Sequence, residues 1–219
     1  MTHDETPDGR RESPLNRELI LDGAIDLIER EGPDALSMRR LGKSLGVEGM
    51  AIYHHFDGRD ELLAALAERL LDVLNDVELA DDWRAACERF ASALRQIAVV
   101  RPASFQLVGM QPLIGQRELE PVERLLEILV DAGFPPRTAL AVYRAIVSYA
   151  RGYALAEAGG FTVDAAGAGG RVLKGLPRGR FPILAGRAAE LTDLDPDDAF
   201  ALGLHALLAG LADPTEDGR

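Results

Sequence analysis

Apolar residues recur along this chain at the spacing of a helix, and no useful stretch alternates as a strand would. Ile20, Ala24, Leu27 and Ile28 fall at i, i+4, i+7 and i+8 and share one helical face. Ser13-Pro14 offers an N-cap and a first-turn proline for that helix, and Gly32-Pro33 a stop. Ser37 is placed to cap a second helix. Its Met38, Leu41 and Leu45 face inward, so Arg39, Arg40 and Lys43 face elsewhere. Gly46 supplies the left-handed residue of a tight turn. A short third helix is predicted over 49–56, with Ile52 and Phe56 one turn apart on its buried side. Two short helices joined by a glycine turn make a helix-turn-helix. Met50, Tyr53 and His54 then face outward, with Ala51 and His55 at the edges of that face.

Beyond it, a longer helix is predicted from Asp60, carrying Leu62, Leu63, Leu66, Leu70, Val73, Leu74 and Val77. Asp81-Asp82 open another, in which Trp83, Cys87, Phe90, Leu94 and Ile97 keep helical spacing until Arg101-Pro102. Further helices are predicted over 103–110, 118–132 and 136–158. The glycine-rich stretch 159–182 has no helical period and is expected to be a mobile loop. Asp195-Pro196 starts a last helix, with Phe200, Leu204, Leu207, Leu208 and Leu211 on one side and Gly203 and Gly210 leaving room for another helix. The predicted fold is therefore all-α. An N-terminal three-helix domain with the helix-turn-helix (14–59) precedes a larger helical domain (60–212), between a disordered tail (1–13) and a short C-terminal tail (213–219).

Composition narrows the function. The 219 residues are 47% hydrophobic and carry a formal charge of −12, which argues against nucleic acid coating the whole surface. Charge is local, however: between Ser37 and Arg59, the four cations Arg39, Arg40, Lys43 and Arg59 face only Glu48 and Asp57. Cys87 is the one cysteine, which excludes an internal disulfide and suits a reducing cytoplasm. No apolar run approaches the roughly 20 residues that span a bilayer, and the polar N-terminus lacks the core of a secretory signal. His54 and His55 are adjacent, so on a helix they point about 100° apart and cannot chelate one ion within a protomer. Arg10 and Arg11 fit either a DNA-grasping arm or a plain tail. No nucleophile–base pair, phosphate-binding loop or dinucleotide fingerprint stands out. "GAGG" at 167–170 follows no strand and is only a loop signal. No enzyme activity, metal or cofactor is expected.

The segment "LSMRRLGKSLGVEGMAIYHHFDGRDELLAAL", 36–66, resembles the TetR family of transcriptional regulators. The resemblance rests on Arg40-Leu41-Gly42, Leu45-Gly46-Val47, Ile52-Tyr53, His55-Phe56 and Asp60 with Leu62-Leu63 taken together. "PDDAFALGLHALLAGL", 196–211, is similar to the final helix of the tetracycline-repressor branch, and Trp83 falls where that branch opens its ligand-domain helix. The resemblance implies a ligand-responsive repressor that binds a palindromic double-stranded DNA operator as a homodimer through 136–158 and 196–211. It places Arg39 as a base reader, able to bond guanine O6 and N7 together. It also sets Gly49, Met50, Ala51 and Tyr53 toward bases, His55 and Arg59 on phosphates, and Ser37 and Met38 close to the DNA backbone. Where the tetracycline branch reads adenine with a glutamine, this chain has Gly49, and where it holds magnesium with a histidine, this chain has Val108. The expected effector is thus an apolar or aromatic small molecule without magnesium. Candidate lining residues are Trp83, Phe90, Leu94, Phe105, Val108, Met110, Gln111, Tyr143 and Tyr149, each of which also fits as ordinary core. A helical small-molecule carrier or interaction module with a non-functional DNA head is the alternative, with Gly49 as its symptom.

Overall fold

The computed structural model describes residues 15–111, 116–159 and 168–211, and every regular element among them is helical. The helices are α1 (Arg17–Glu31), α2 (Met38–Ser44), α3 (Gly49–Ile52), α4 (Arg59–Leu71), α5 (Trp83–Val100), α6 (Pro102–Val108), α7 (Gln116–Asp131), α8 (Pro136–Ala158), α9 (Ala168–Gly175), α10 (Ala188–Thr192) and α11 (Pro196–Ala209). The tails 1–13 and 213–219, Arg10 and Arg11, and the loop residues 160–167 lie outside the described residues.

Local chemistry sets most boundaries. Asn16, not Ser13, caps α1: its side chain accepts from the Leu19 N–H at 2.8 Å, and Ser13-Pro14 lies outside the described residues. Gly32 ends α1 at φ 88°, and Gly46 takes φ 72° in the turn after α2, a region where a side chain is strained. Ser37 Oγ accepts from the Arg40 N–H at α2, Asp82 from the Ala85 N–H at α5, and Asp195 from the Asp197 N–H at α11.

Two predicted elements differ. The helix from Arg59 does not run on to Val77 but tightens into a 3₁₀ turn over Asp72–Asp76. Arg124 on α7 explains this: its guanidinium donates to the carbonyls of Leu74 (2.9 Å), Asn75 (3.0 Å) and Val77 (3.4 Å). Those carbonyls need no further helical turn to be satisfied. The glycine-rich stretch also contains α9, whose Leu173 is buried and which packs on α10, so tertiary burial overrides the low helix propensity of Gly169 and Gly170.

The larger domain is built on α5 and α8, flanked by α6 and α7. Small residues make close packing possible: Ala86, Ala91, Ala98, Ala139, Ala150 and Ala154 are all buried. The last helix rests on α8 through polar tips of aromatic side chains. Tyr149 donates to the Phe200 carbonyl at 2.8 Å and Tyr153 to the Pro196 carbonyl at 2.9 Å. Gly203 serves this contact, since a Cβ there would collide with the Tyr149 hydroxyl. The room that the sequence assigned to another helix is thus taken at Gly203 by the chain's own α8. Gly210 meets only carbonyls of its own helix.

Arg95 closes this corner. Only 7% exposed, it donates from Nε and Nη2 to Glu157 and from Nη1 to Asp197, each at 2.7 Å. Its guanidinium also sits over the rings of Phe200 (5.1 Å) and Tyr153 (5.4 Å). One cation therefore joins α5, α8 and α11. Arg95→Met strands the half-buried Glu157 and releases α11, and is expected to cost about 2–4 kcal/mol. Thermal unfolding followed by circular dichroism reads this as a lower Tm with native helix content at low temperature. An unchanged Tm would remove Arg95 as the fastener of α11.

Candidate nucleic-acid interface

The helix-turn-helix is assembled by glycines placed where backbones meet. A Cβ on Gly42 of α2 would lie 2.8 Å from the Gly49 nitrogen and 2.9 Å from its Cα. A Cβ on Gly49 would lie 3.1 Å from the Arg39 Cα. The start of α3 is thus pressed onto α2 more closely than larger residues allow. Gly23 does the same for α1, where a Cβ would come within 2.6 Å of Leu45 Cδ2. The turn itself is tied by the Leu45 and Val47 N–H groups, both donating to the Gly42 carbonyl at 3.1 and 2.9 Å.

The outward helix is shorter than predicted. Only Gly49–Ile52 is α-helical; Tyr53, His54 and His55 follow in tight turns, their N–H groups donating to Met50, Ala51 and Ile52. Ile52 (0% exposed) and Phe56 (1%) are buried as expected. Two distant residues lock this end. Arg17 of α1 lies 4.0 Å above the Phe56 ring and donates to the His55 carbonyl and, at 2.9 Å, to Glu61 of α4. Glu61 also accepts from the Asp57 N–H. That backbone bond first, and Arg17 second, hold the Glu61 carboxyl below its usual pKa. Arg17 carries no local sequence signal, because its partners His55 and Glu61 lie far along the chain, whereas Glu61 has one local partner in Asp57 and one distant partner in Arg17.

The face left open carries most of the predicted set. Met50 is 66% and Tyr53 46% exposed; Arg39, His54 and Arg59 are exposed, and Ser37, Gly49, Ala51 and His55 half-buried. Met38 is buried in the core, on the inward face that its spacing with Leu41 predicts. The three cations of α2 also separate. Arg40 pairs with Glu31, which pairs in turn with Arg30. The hydrogen bond from Arg30 and then that from Arg40 lower the Glu31 pKa. Arg39, Lys43 and Arg59 form no ion pair with another described residue. The usable positive charge is therefore carried by three residues, and Arg40 holds α2 to α1. Among the described residues no group of three or more His, Cys, Asp or Glu could hold a metal ion. No helix of the described residues is long and apolar enough to cross a membrane.

The predicted ligand residues do not converge on one place. Phe90, Leu94 and Tyr143 reach a small interior cavity, room for about one water centre at 10 Å³. Its wall is completed by residues not anticipated, among them Leu71 and Leu74 at the end of α4, Glu118 on α7 and Arg151 on α8. Trp83 instead packs edge-on against Phe134 (4.9 Å), and Tyr149 stacks on Phe200 (5.3 Å). Phe105 and Val108 are buried on α6, Gln111 is half-buried, and Met110 is 71% exposed. α6 is joined to the N-terminal helices directly, because Glu29 accepts from the N–H groups of Ala103 (3.3 Å) and Ser104 (2.8 Å).

Comparison with known proteins covers nearly the whole chain. Residues 20–66 match the bacterial regulatory proteins, tetR family, and residues 77–214 match the tetracyclin repressor-like C-terminal domain. The tetracycline repressor protein class A from transposon 1721 of Escherichia coli is 32% identical over 202 residues, 90% of this chain and 91% of that protein. A possible TetR family transcriptional regulator from Streptomyces coelicolor A3(2) superposes with a TM-score of 0.78 at 28% identity, covering 89% of this chain and 98% of that one. The Streptomyces coelicolor TetR family protein ActR in complex with actinorhodin gives 0.70 at 26% identity, covering 91% and 96%.

Backbone contact at Gly42 sets a graded expectation. Gly42→Ala forces α2 and α3 apart and is expected to cost about 1–3 kcal/mol. Gly49→Ala, with a longer approach, should cost less than Gly42→Ala. Urea unfolding of the two variants checks the order; equal costs would show that the helices are not held at this contact.

Proposed function

The chain belongs to the TetR family of transcriptional regulators, ligand-responsive and DNA-binding by family and fold, and we propose from that premise that it is a repressor released from its operator by a small molecule with an apolar or aromatic frame. The exposed residues of α3 and its end carry this reading: Met50 on the helix and Tyr53 at its C-cap are exposed, and Gly49 at its start lies against Arg39 of α2. An α-helix fits the major groove, where every base pair presents a distinct pattern of donors, acceptors and methyl groups. In this proposal Arg39 reads a guanine. Met50, Ala51 and Tyr53 make apolar contacts with bases, and Gly49 brings the backbone close without reading by side chain. Ser37, the Met38 backbone, His55 and Arg59 hold phosphates. The packing role of Gly49 removes the reason for suspecting a head that has lost function.

A palindromic operator requires two heads, set about 34–36 Å apart or a multiple of it. Both α8 and α11 have outward faces suited to a partner copy: Leu140 is 41% and Leu202 72% exposed. The proposed division runs 14–59 for the DNA-binding domain and 60–212 for the effector and dimerisation domain, with α4 as the lever between them. α4 starts beside the locked turn at Glu61 and ends at Leu71 and Leu74 on the cavity wall. An effector that enlarges the cavity pushes on that end and changes the spacing of the two heads. A coupling of ~1–3 kcal/mol changes DNA affinity roughly 5- to 150-fold. ActR was solved in complex with actinorhodin, which supports a small-molecule effector here. The site of action is the cytoplasm, where the operator is.

Selection of bound sequences from a random DNA pool tests the head. Arg39→Ala is expected to lose about 1–3 kcal/mol of discrimination at one base pair per half-site, while the remaining positions keep their preference. Unchanged affinity and preference would reject Arg39 as a reader. Leu202→Glu tests the dimer: sedimentation should show a shift toward monomer, and operator binding should fall with it. A dimer that persists would place the interface elsewhere.

A further inference from the structure

Arg151, which lines the cavity behind α4, has a buried polar atom without a hydrogen-bond partner among the described residues. Tyr143, Val147 and Arg151 lie one helical turn apart along α8 and form one wall. The Arg151 Nε is buried and has no hydrogen-bond partner among the described residues. An unpaired buried donor carries the full cost of its lost water, and more so when it is charged. The contrast with Arg95 is informative, since there the same fold sets Nε and both terminal nitrogens on carboxylates. Arginine stays protonated in proteins. Burial opposes the Arg151 charge, and only Tyr143 and Glu118 work against that burial. Opposite α8 the wall is apolar, formed by Leu71, Leu74, Phe90 and Leu94. Phe90 meets the Tyr143 ring edge-on at 6.1 Å, so an aromatic surface stands next to the unpaired donor.

We propose that the effector is an aromatic acid: its oxyanion, a carboxylate or an ionised phenol, accepts from Arg151 Nε, and its ring system lies against Phe90, Leu94 and Tyr143. The proposal rests on the effector site named above and specifies its chemistry. A charge-assisted hydrogen bond is shorter and stronger than a neutral one, and it meets the charge that burial leaves poorly compensated. Glu118, the one carboxylate on the wall, already faces Arg151. A cationic effector would place a second positive charge beside the Arg151 guanidinium in a dry site. Tyr143 stays a neutral phenol, because burial raises its pKa, and its hydroxyl is a second donor to the same oxygen. At 10 Å³ the cavity is far below the size of a ligand site, which runs to about 300–1,000 Å³. The acid therefore enters by displacing walls, and among them Leu71 ends α4 while Leu74 lies in the 3₁₀ turn that follows it.

Isothermal titration of the full-length protein with naphthoate, naphthamide and protonated naphthylmethylamine tests this. Wild type is expected to bind the acid on the order of 10-fold or more tightly than the amide, and the amine least. Arg151→Met keeps the length of the side chain without its charge. It should lose that preference while its affinity for the amide stays nearly constant. Arg151→Lys restores the charge but not the fork, and should recover part of the preference. Equal binding of all three probes to wild type overturns the acid proposal and leaves the cavity as the effector site. Binding of none of them, or binding that persists when Leu94→Trp fills the cavity, overturns both. The preference within wild type decides the matter even if the Met variant fails to fold.

Discussion

Zipping a helix as short as Gly49–Ile52 orders more backbone than its few hydrogen bonds repay. It persists because the residues behind it are packed and tied together. Gly42 and Gly49 bring two backbones into contact, Ile52 and Phe56 are buried beneath, and Arg17 and Glu61 fasten the turn that follows. These contacts come from α1, α2 and α4, so the reading surface belongs to the packing of the whole head. In the proposed mechanism the same dependence makes the head responsive: whatever moves α4 moves Met50 and Tyr53 with it.

α4 is held at both ends by α-helical neighbours of different domains. At its start, Glu61 pairs with Arg17 of α1. At its end, Asp72 pairs with Arg117 of α7 at 2.6 Å, and Arg124 of α7 takes the carbonyls of the 3₁₀ turn. The Arg117 hydrogen bond is the chief cause that keeps the Asp72 carboxyl below its usual pKa. A lever fastened at both ends transmits displacement where a frayed one would absorb it. Glu29, bonded to the first N–H groups of α6, gives the two domains a second link. The acidic total is compatible with DNA binding because charge is partitioned: Arg40 is neutralised by Glu31, while Arg39, Lys43 and Arg59 stay available.

What could be read from the residues in order was the local grammar. Helical period marked the helices, and Ser37, Asp82 and Asp195 marked three of their starts. Gly32 and Gly46 marked turns, since a left-handed backbone favours glycine whatever surrounds it. The outward face of the third helix followed from Ile52 and Phe56 being buried. The errors were of one kind. Asn16 rather than the equally plausible Ser13 caps α1, and α9 forms because its burial against α10 outweighs the low helix propensity of its glycines. The groups Arg39, Arg40 and Lys43 looked alike in sequence and differ only through a carboxylate nine positions before Arg40.

The sequence by itself thus determined an all-α chain, a helix-turn-helix with its turn at Gly46, and a basic exposed face in an acidic protein, because each depends on residues within a few turns of one another. Tertiary structure decided which side chains share a space. Only it shows that Gly203 yields to Tyr149, that Trp83 leaves the cavity for Phe134, and that Arg151 faces Phe90 and Leu94. Such meetings are set by the angles at which α4, α5, α7 and α8 pack, and no local pattern encodes an angle between helices separated by tens of residues.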